Sequence, residues 1–321
     1  MTDERDEKTP GSAGVRARID AALRHRGHLV LDGPTGTALE AKGYRLHEIL
    51  WTATAAVDAP ELLAAVHHEY LRAGAELITA NTFRTTAHAA QAAGSTAEAA
   101  QAWMSAAVEV ARAACAGASG GALCAGSLAP LADCYRPERT PPDEVLRAAH
   151  AQTAGWLWAA GCDLILVETQ GSGREAAIAV AAAHAAGAPV WVSLLPGADG
   201  EHLLDGSPLL EAAVACVRGG AEAVLLNCAH HEVIERALRA LQPLRRDGVR
   251  LGAYANAARL LRAPDGLRFV PEPSPLGQQV AEYAATAQRW RDTLGAVLLG
   301  GCCGMTPAHI RALAALPPAR G

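Results

Sequence analysis

The sequence predicts an α/β chain folded as a single-domain (β/α)8 TIM barrel, on three observations. Eight short runs rich in Val, Ile and Leu recur along the chain, and segments rich in Ala, Leu, Glu and Arg separate them. No G-x-G-x-x-G follows the first run, where Asp32-Gly33-Pro34-Thr35-Gly36 stands instead. Continuously apolar strands alternating with helices imply a parallel sheet covered on its outer faces. Eight such units in about 290 residues fit a closed barrel. An open doubly wound sheet is the rival, and the missing glycine fingerprint weakens its dinucleotide-binding version.

The elements follow in order. Residues 1–14 are charged and polar and end in Pro-Gly-Ser-Ala-Gly, so a disordered tail is expected ahead of a barrel domain at 15–321. Strands are expected at 28–32, 76–82, 123–128, 164–169, 190–195, 223–227, 250–254 and 296–299, each a short apolar run. Between them, helices are expected at 60–73, 86–116, 142–160, 173–186, 208–218, 232–241 and 276–293. Pro60, Pro142, Pro208 and Pro307 mark helix starts, where a missing N–H costs nothing. Gly74, Gly161, Gly187 and Gly219 mark helix ends. No domain-scale linker stands out, and no repeat beyond the β/α unit.

Composition narrows the function. The 321 residues carry 28 Lys+Arg against 33 Asp+Glu, a net charge of −5, which argues against a protein built to grip nucleic acid. Half the residues are hydrophobic, enough for a packed core and too many for a disordered body. The longest apolar stretch, 176–196, is interrupted by His184, Gly187 and Pro189 and reads as helix then strand, not as a membrane span. The charged N-terminus has no apolar signal region, so a soluble, cytoplasmic protein is expected. In that reducing setting the eight cysteines are buried thiols, metal ligands or nucleophiles rather than disulfides.

A barrel gathers its chemistry at the C-terminal ends of its strands. There the chain places Asp32-Gly33, Thr79-Ala80-Asn81-Thr82-Phe83, Glu168-Thr169-Gln170, Asn227-Cys228, Tyr254-Ala255-Asn256 and Gly300-Gly301-Cys302-Cys303-Gly304. Cys228, Cys302 and Cys303 thus share one rim, from strands separated by a single neighbour. Three thiolates suit a zinc ion, with Zn–S near 2.3 Å, and leave a fourth position open. Such a site carries a net charge of about −1 and activates water poorly. It suits a substrate thiol better, whose pKa of roughly 8.5 the metal would lower. Two alternatives stay open on spacing alone. The glycine-rich loop could cradle phosphate, and His230 or His231, just after Cys228, could replace a thiolate ligand.

On these residues the chain resembles the zinc-dependent homocysteine S-methyltransferase family, whose relatives include betaine–homocysteine methyltransferase, S-methylmethionine-using enzymes and the N-terminal domain of cobalamin-dependent methionine synthase. The resemblance spans 30–316 and is carried by 31–37 (Leu-Asp-Gly-Pro-Thr-Gly-Thr), Leu50-Trp51, 78–83, Glu168-Thr169, 204–209, Asn227-Cys228, and Gly300–Gly304 followed by Thr306-Pro307. It implies that Cys228, Cys302 and Cys303 bind Zn2+ and that homocysteine sulfur completes the shell. Asp32 and Glu168 match positions that hold the substrate ammonium; their plainer readings are a turn residue and half of a buried ion pair. Trp51 and Phe83 match aromatic positions near the methyl donor, where a ring face attracts a sulfonium or quaternary ammonium; a core role is the alternative. Asn227 and Asn256 are candidates for positioning substrate or loop backbone.

The implied reaction moves a methyl group from a small-molecule donor, S-methylmethionine or S-adenosylmethionine, to homocysteine, giving methionine. Ala38 and Ala255, where relatives carry a polar residue and Pro, leave the donor and the thiol open, as does the unfamiliar His230-His231. A different thiol, a separate corrinoid protein as methyl source, or a non-catalytic zinc-binding barrel are the alternatives. An aldolase-type barrel would need a Lys at a strand end, and none stands there. Self-association into a homo-oligomer is left open.

Overall fold

In the computed structural model the described residues are 12–263, 266–271 and 273–319. Ten strands occur among the described residues: β1 (Leu29–Val30), β2 (Leu77–Thr79), β3 (Leu123–Leu128), β4 (Leu164–Gln170), β5 (Val190–Leu194), β6 (Ala221–His230), β7 (Arg250–Asn256), β8 (Ala258–Ala263), β9 (Gly266–Pro271) and β10 (Ala296–Gly301). Eight of them form one parallel sheet in the order β1-β10-β7-β6-β5-β4-β3-β2. A parallel bridge between Leu31 and Leu77 joins its two ends and closes the barrel. Each of the eight expected strands overlaps one barrel strand. The remaining pair, β8 and β9, is an antiparallel hairpin inserted after β7, pairing Ala258 with Pro271 and Ala263 with Gly266, and no feature of the β/α repeat foretold it.

Two apolar layers hold the fold. Inside the barrel, Leu31, Leu77, Leu166, Trp191, Leu225 and Leu298 pack together. Outside it, the opposite strand faces and the covering helices form a second, larger cluster that includes Val30, Ile78, Val167, Val192 and Leu299. This alternation is why the strands read as continuous apolar runs. The N-terminal helix, Ser12–Arg26, plugs the bottom of the barrel by burying Val15 and Ile19 in the interior cluster. Each of those side chains contributes about 1.5–3 kcal/mol. Ion pairs Arg16–Glu222, Arg250–Asp20 and Arg26–Glu76, each at 2.5 Å, pin the helix and its end to the strand starts. The helix begins within the expected tail at 1–14, so residues 12–14 are helical; residues 1–11 lie outside the described residues.

Two helices differ from expectation. The segment 86–116 is broken into Ala87–Ala92 and Ala97–Ala116, because Gly94 takes φ +75 and Thr96 caps the second helix through the N–H of Ala99. Leu276–Arg289 ends in a π-helical turn, Trp290–Leu294, before Gly295 at φ +69. No helix among the described residues is long and apolar enough to cross a membrane.

Candidate active site and metal centre

The ends of β6 and β10 bring three thiols together. Cys228 Sγ lies 3.3 Å from Cys302 Sγ and 4.0 Å from Cys303 Sγ, and all three sulfurs fall within 4.8 Å of one another. Adjacent cysteines reach one point because the loop after β10 is held close to its surroundings. A Cβ on Gly300 would sit 2.8 Å from Leu31 Cβ, and one on Gly301 would sit 2.8 Å from Met305 Cβ. Those two glycines are thus required by close approach, whereas Gly304, at φ +79, is required by its backbone. The N–H of Cys302 donates to Ala255 O (2.8 Å), and Ala257 N–H donates to Cys303 O (2.9 Å).

Electrostatics fit a cation at this point. Hydrogen bonds from Cys228 and Cys302 hold the Cys303 thiol well below its ordinary value. The same contacts, with burial, push Cys228 up. Cys302 is pulled down by its bond with Cys228, but its bond to Cys303 and burial outweigh that and leave it raised. The cluster therefore parts easily with one proton and holds the others until a positive charge arrives. A thiolate-binding metal ion supplies that charge and matches the donor set. His230 and His231 do not line the thiol cavity, so the all-sulfur set stands without them.

Above the sulfurs opens a cavity of about 720 Å3 lined by Asp32, Glu168, Trp51, Phe83 and the three cysteines. Asp32 is 5% exposed and accepts hydrogen bonds from Thr79 N–H (2.8 Å) and Thr79 Oγ1 (3.1 Å), across to the neighbouring strand rather than within its own turn. Burial pushes its carboxyl up to about 8, the Thr79 donors opposing and the charge of Glu168 adding to the rise. Glu168 accepts from Ser127 Oγ and from the Tyr254 hydroxyl (3.1 Å), and burial lifts it to about 7. Neither carboxylate has an ion-pair partner among the described residues. Two acids without a cationic partner, Asp32 buried and Glu168 partly buried, thus face one cavity with three thiols, a setting that favours a positively charged group.

Trp51 and Phe83 meet edge to face, with centroids 5.8 Å apart. The Arg84 guanidinium sits 5.4 Å from the Phe83 centroid, and Arg84 also donates to Ala132 O (3.0 Å). Phe83 thus already has a cation beside it; of these two rings, Trp51 is the one a donor cation could still meet. Trp51 is held at φ +52 by a clamp absent from the expected site set: Thr52 Oγ1 donates to Asn81 Oδ1 (2.8 Å), and Asn81 Nδ2 donates to Thr52 O (2.7 Å). Gly36 lies beneath the ring, where a Cβ would come within 2.1 Å of it.

Among the described residues the non-glycine positions with positive φ are Trp51, Thr169 and Cys228, and all three line this cavity. Backbone strain of this kind, worth about 1–3 kcal/mol per residue, gathers at functional sites. Asn227 differs from the substrate-contact expectation and takes the loop role. It is fully buried, accepts from Ser193 Oγ (2.8 Å) and donates to Thr169 Oγ1 (2.8 Å), fixing the strained residue after Glu168. Asn256 also lies off the cavity, in a separate small pocket. Tyr135, from the loop after β3, places its hydroxyl 3.1 Å from Cys228 Sγ; no strand-end pattern marks it in the sequence.

Comparison with known proteins agrees with this geometry. Residues 29–316 match the family model described as homocysteine S-methyltransferase. The chain is 34% identical over 312 residues to the homocysteine S-methyltransferase of Escherichia coli, covering 92% of this chain and 97% of that protein. It is 32% identical over 325 residues to betaine–homocysteine S-methyltransferase 1 of Mus musculus, covering 96% of this chain and 76% of the mouse protein. Among solved structures, the metallated form of the E. coli homocysteine methyltransferase MmuM superposes with a TM-score of 0.76 at 32% identity, covering 92% of this chain and 99% of that one. With the barrel, the thiol cluster and the paired carboxylates in place, this chain belongs to the homocysteine S-methyltransferase family.

Proposed function

We propose that this protein moves a methyl group from a small cationic donor to the sulfur of homocysteine, giving methionine, with a zinc ion held by Cys228, Cys302 and Cys303. The observation that carries the reading is the shared cavity: three clustered sulfurs and two carboxylates without an ion-pair partner face the same space. When bound, the metal would lower the pKa of a substrate thiol and hold its sulfur as a nucleophile.

The residues of the chain do the rest. Asp32 and Glu168 take the homocysteine ammonium, and Ser127, Thr79 and Tyr254 fix their oxygens in place. At neutral pH Asp32, lifted to about 8, is mostly protonated and Glu168, lifted to about 7, about half so, and an incoming ammonium favours the charged form of both. Trp51 offers a ring face to the donor's positive centre. Glu40, Glu48 and Asp133 around the same cavity outnumber Arg84 and favour a cationic donor. The sulfur attacks the methyl carbon in line; a C–S bond forms, and the electron pair of the broken bond neutralises the donor's charge. Catalysis then rests on nucleophile activation and the orientation of two substrates. A sulfonium, S-methylmethionine or S-adenosylmethionine, is the donor we assign. The setting we assign is the reducing cytoplasm, where the thiols stay free.

A donor screen tests this. Homocysteine is incubated with S-methylmethionine, S-adenosylmethionine or betaine, with and without a chelator, and methionine is followed. Methionine from a sulfonium donor, lost on chelation, is expected; no methionine from any of the three overturns the assignment.

A further inference from the structure

Behind the thiol cluster lies a second group of metal-binding side chains that methyl transfer does not use. Among the described residues two clusters have ligand atoms mutually within 4.8 Å: the three cysteines, and His230, His231 and Glu232. The two clusters meet at the end of β6, where only Ala229 stands between Cys228 and His230. The His230 and His231 rings are 3.9 Å apart between centroids. His230 Nδ1 lies 3.6 Å from a Glu232 carboxylate oxygen. That is close to the edge of roughly 3.3 Å that two ligands make on an ion bound at about 2.0–2.1 Å.

A second, independent observation points to a ligand here. The two histidines line a small cavity of about 30 Å3, room for one small particle, together with Asn256. Asn256 is 1% exposed, and neither its amide oxygen nor its nitrogen meets a hydrogen-bond partner. It is the cross-strand neighbour of His230 in the β6–β7 register. On the far wall, His309 accepts Thr306 N–H at Nδ1 (3.0 Å), which leaves its buried Nε2 carrying the proton and without an acceptor. Buried polar atoms are nearly always satisfied, so an amide with both ends unmet in a particle-sized space signals a missing occupant.

We propose that this pocket is a second, weaker site for a divalent first-row transition ion, bound by His230, His231 and Glu232, with the Asn256 carbonyl or a water held by His309 N–H completing the shell. Imidazole and carboxylate together suit Zn2+, Co2+, Ni2+ and Cu2+ rather than Mg2+ or Ca2+. Glu232 is half exposed and shared with Arg259 (3.0 Å), so the site opens to solvent and exchanges its ion more readily than the thiol centre. The two sites take different ligand chemistry, and occupancy of one does not require the other.

Cobalt titration of the metal-free, tag-free full chain separates them. The first equivalent is expected to give a thiolate-to-cobalt charge-transfer band. A second is expected to give weak d–d bands without it. His231→Ala should abolish the second step and leave the first, and methyl transfer, unchanged; Asn256→Ala should weaken the second step at least tenfold. Saturation of the wild type at one equivalent, as when the pocket holds only a water, overturns the proposal. So does a second step that survives His231→Ala. A check without variants adds Cu2+ to the zinc-loaded wild type: nitrogen hyperfine coupling from two imidazoles is expected in the EPR spectrum, and its absence contradicts the site.

Discussion

Replacing Glu168 with Gln is expected to make the protein more stable and a poorer binder of homocysteine. The carboxyl sits at about 7 in the fold against an ordinary 4.5, raised by burial. The folded state therefore binds the proton more tightly than the unfolded one, and stability falls as pH rises from about 4.5 to about 7, then levels. The gap corresponds to roughly 3 kcal/mol above pH 7. An amide of the same shape can still accept from Tyr254 and meet Ser127, and it carries no charge to desolvate. At pH 8 the variant should thus melt several degrees above the wild type, and near pH 4 the two should coincide. Homocysteine, however, loses a charge-assisted contact worth about 1.5–3 kcal/mol, a rise in KM of roughly ten- to a hundredfold. Thermal melts at both pH values and initial rates against homocysteine measure the two effects. A variant less stable than wild type at pH 8, or one with unchanged homocysteine KM, refutes the reasoning.

Three further outcomes follow from the same geometry. Asn81→Ala should unmake both bonds of the Thr52 clamp and release the Trp51 loop, raising KM for the donor at least tenfold while homocysteine KM stays within about twofold; equal changes in both would show that the clamp does not act through Trp51. Inhibition by methionine, which has the ammonium but no thiol, should tighten from pH 6 to 8.5 as Glu168 and then Asp32 ionise; a flat profile would contradict ammonium capture by these acids. Ile19→Ala should cost about 2–5 kcal/mol by unplugging the barrel floor, seen as a lower denaturation midpoint, and a loss below 1 kcal/mol would show the helix to be dispensable.

The sequence made the barrel legible because its strands are buried on both sides, and β3, β4 and β5 stand where their apolar runs do. The break in 86–116 was harder to see, since alanine keeps helical propensity on both sides of Gly94-Ser95-Thr96. The β8–β9 hairpin is an insertion at the rim and follows no barrel period. In the site, topology alone carries Asp32, Glu168 and the cysteines to one rim, so they could be named without coordinates. The asparagines could not be assigned roles, because side-chain direction cannot be counted across Cys228, where φ is +58 and the β6–β7 register slips. Asn81 and Gly36 stand in motifs the sequence marks, but their roles were not legible for another reason: each acts by touching Trp51 or its neighbour, a contact no spacing reveals.

In the proposed function, Cys228, Cys302 and Cys303 hold the metal on which methyl transfer depends. The most direct test of this role measures zinc content and methionine formation together on wild type and Cys302→Ala. The thiol-centre zinc and the methyl transfer should be lost together, with the fold intact by circular dichroism. Full methyl transfer by protein carrying no metal would contradict the account.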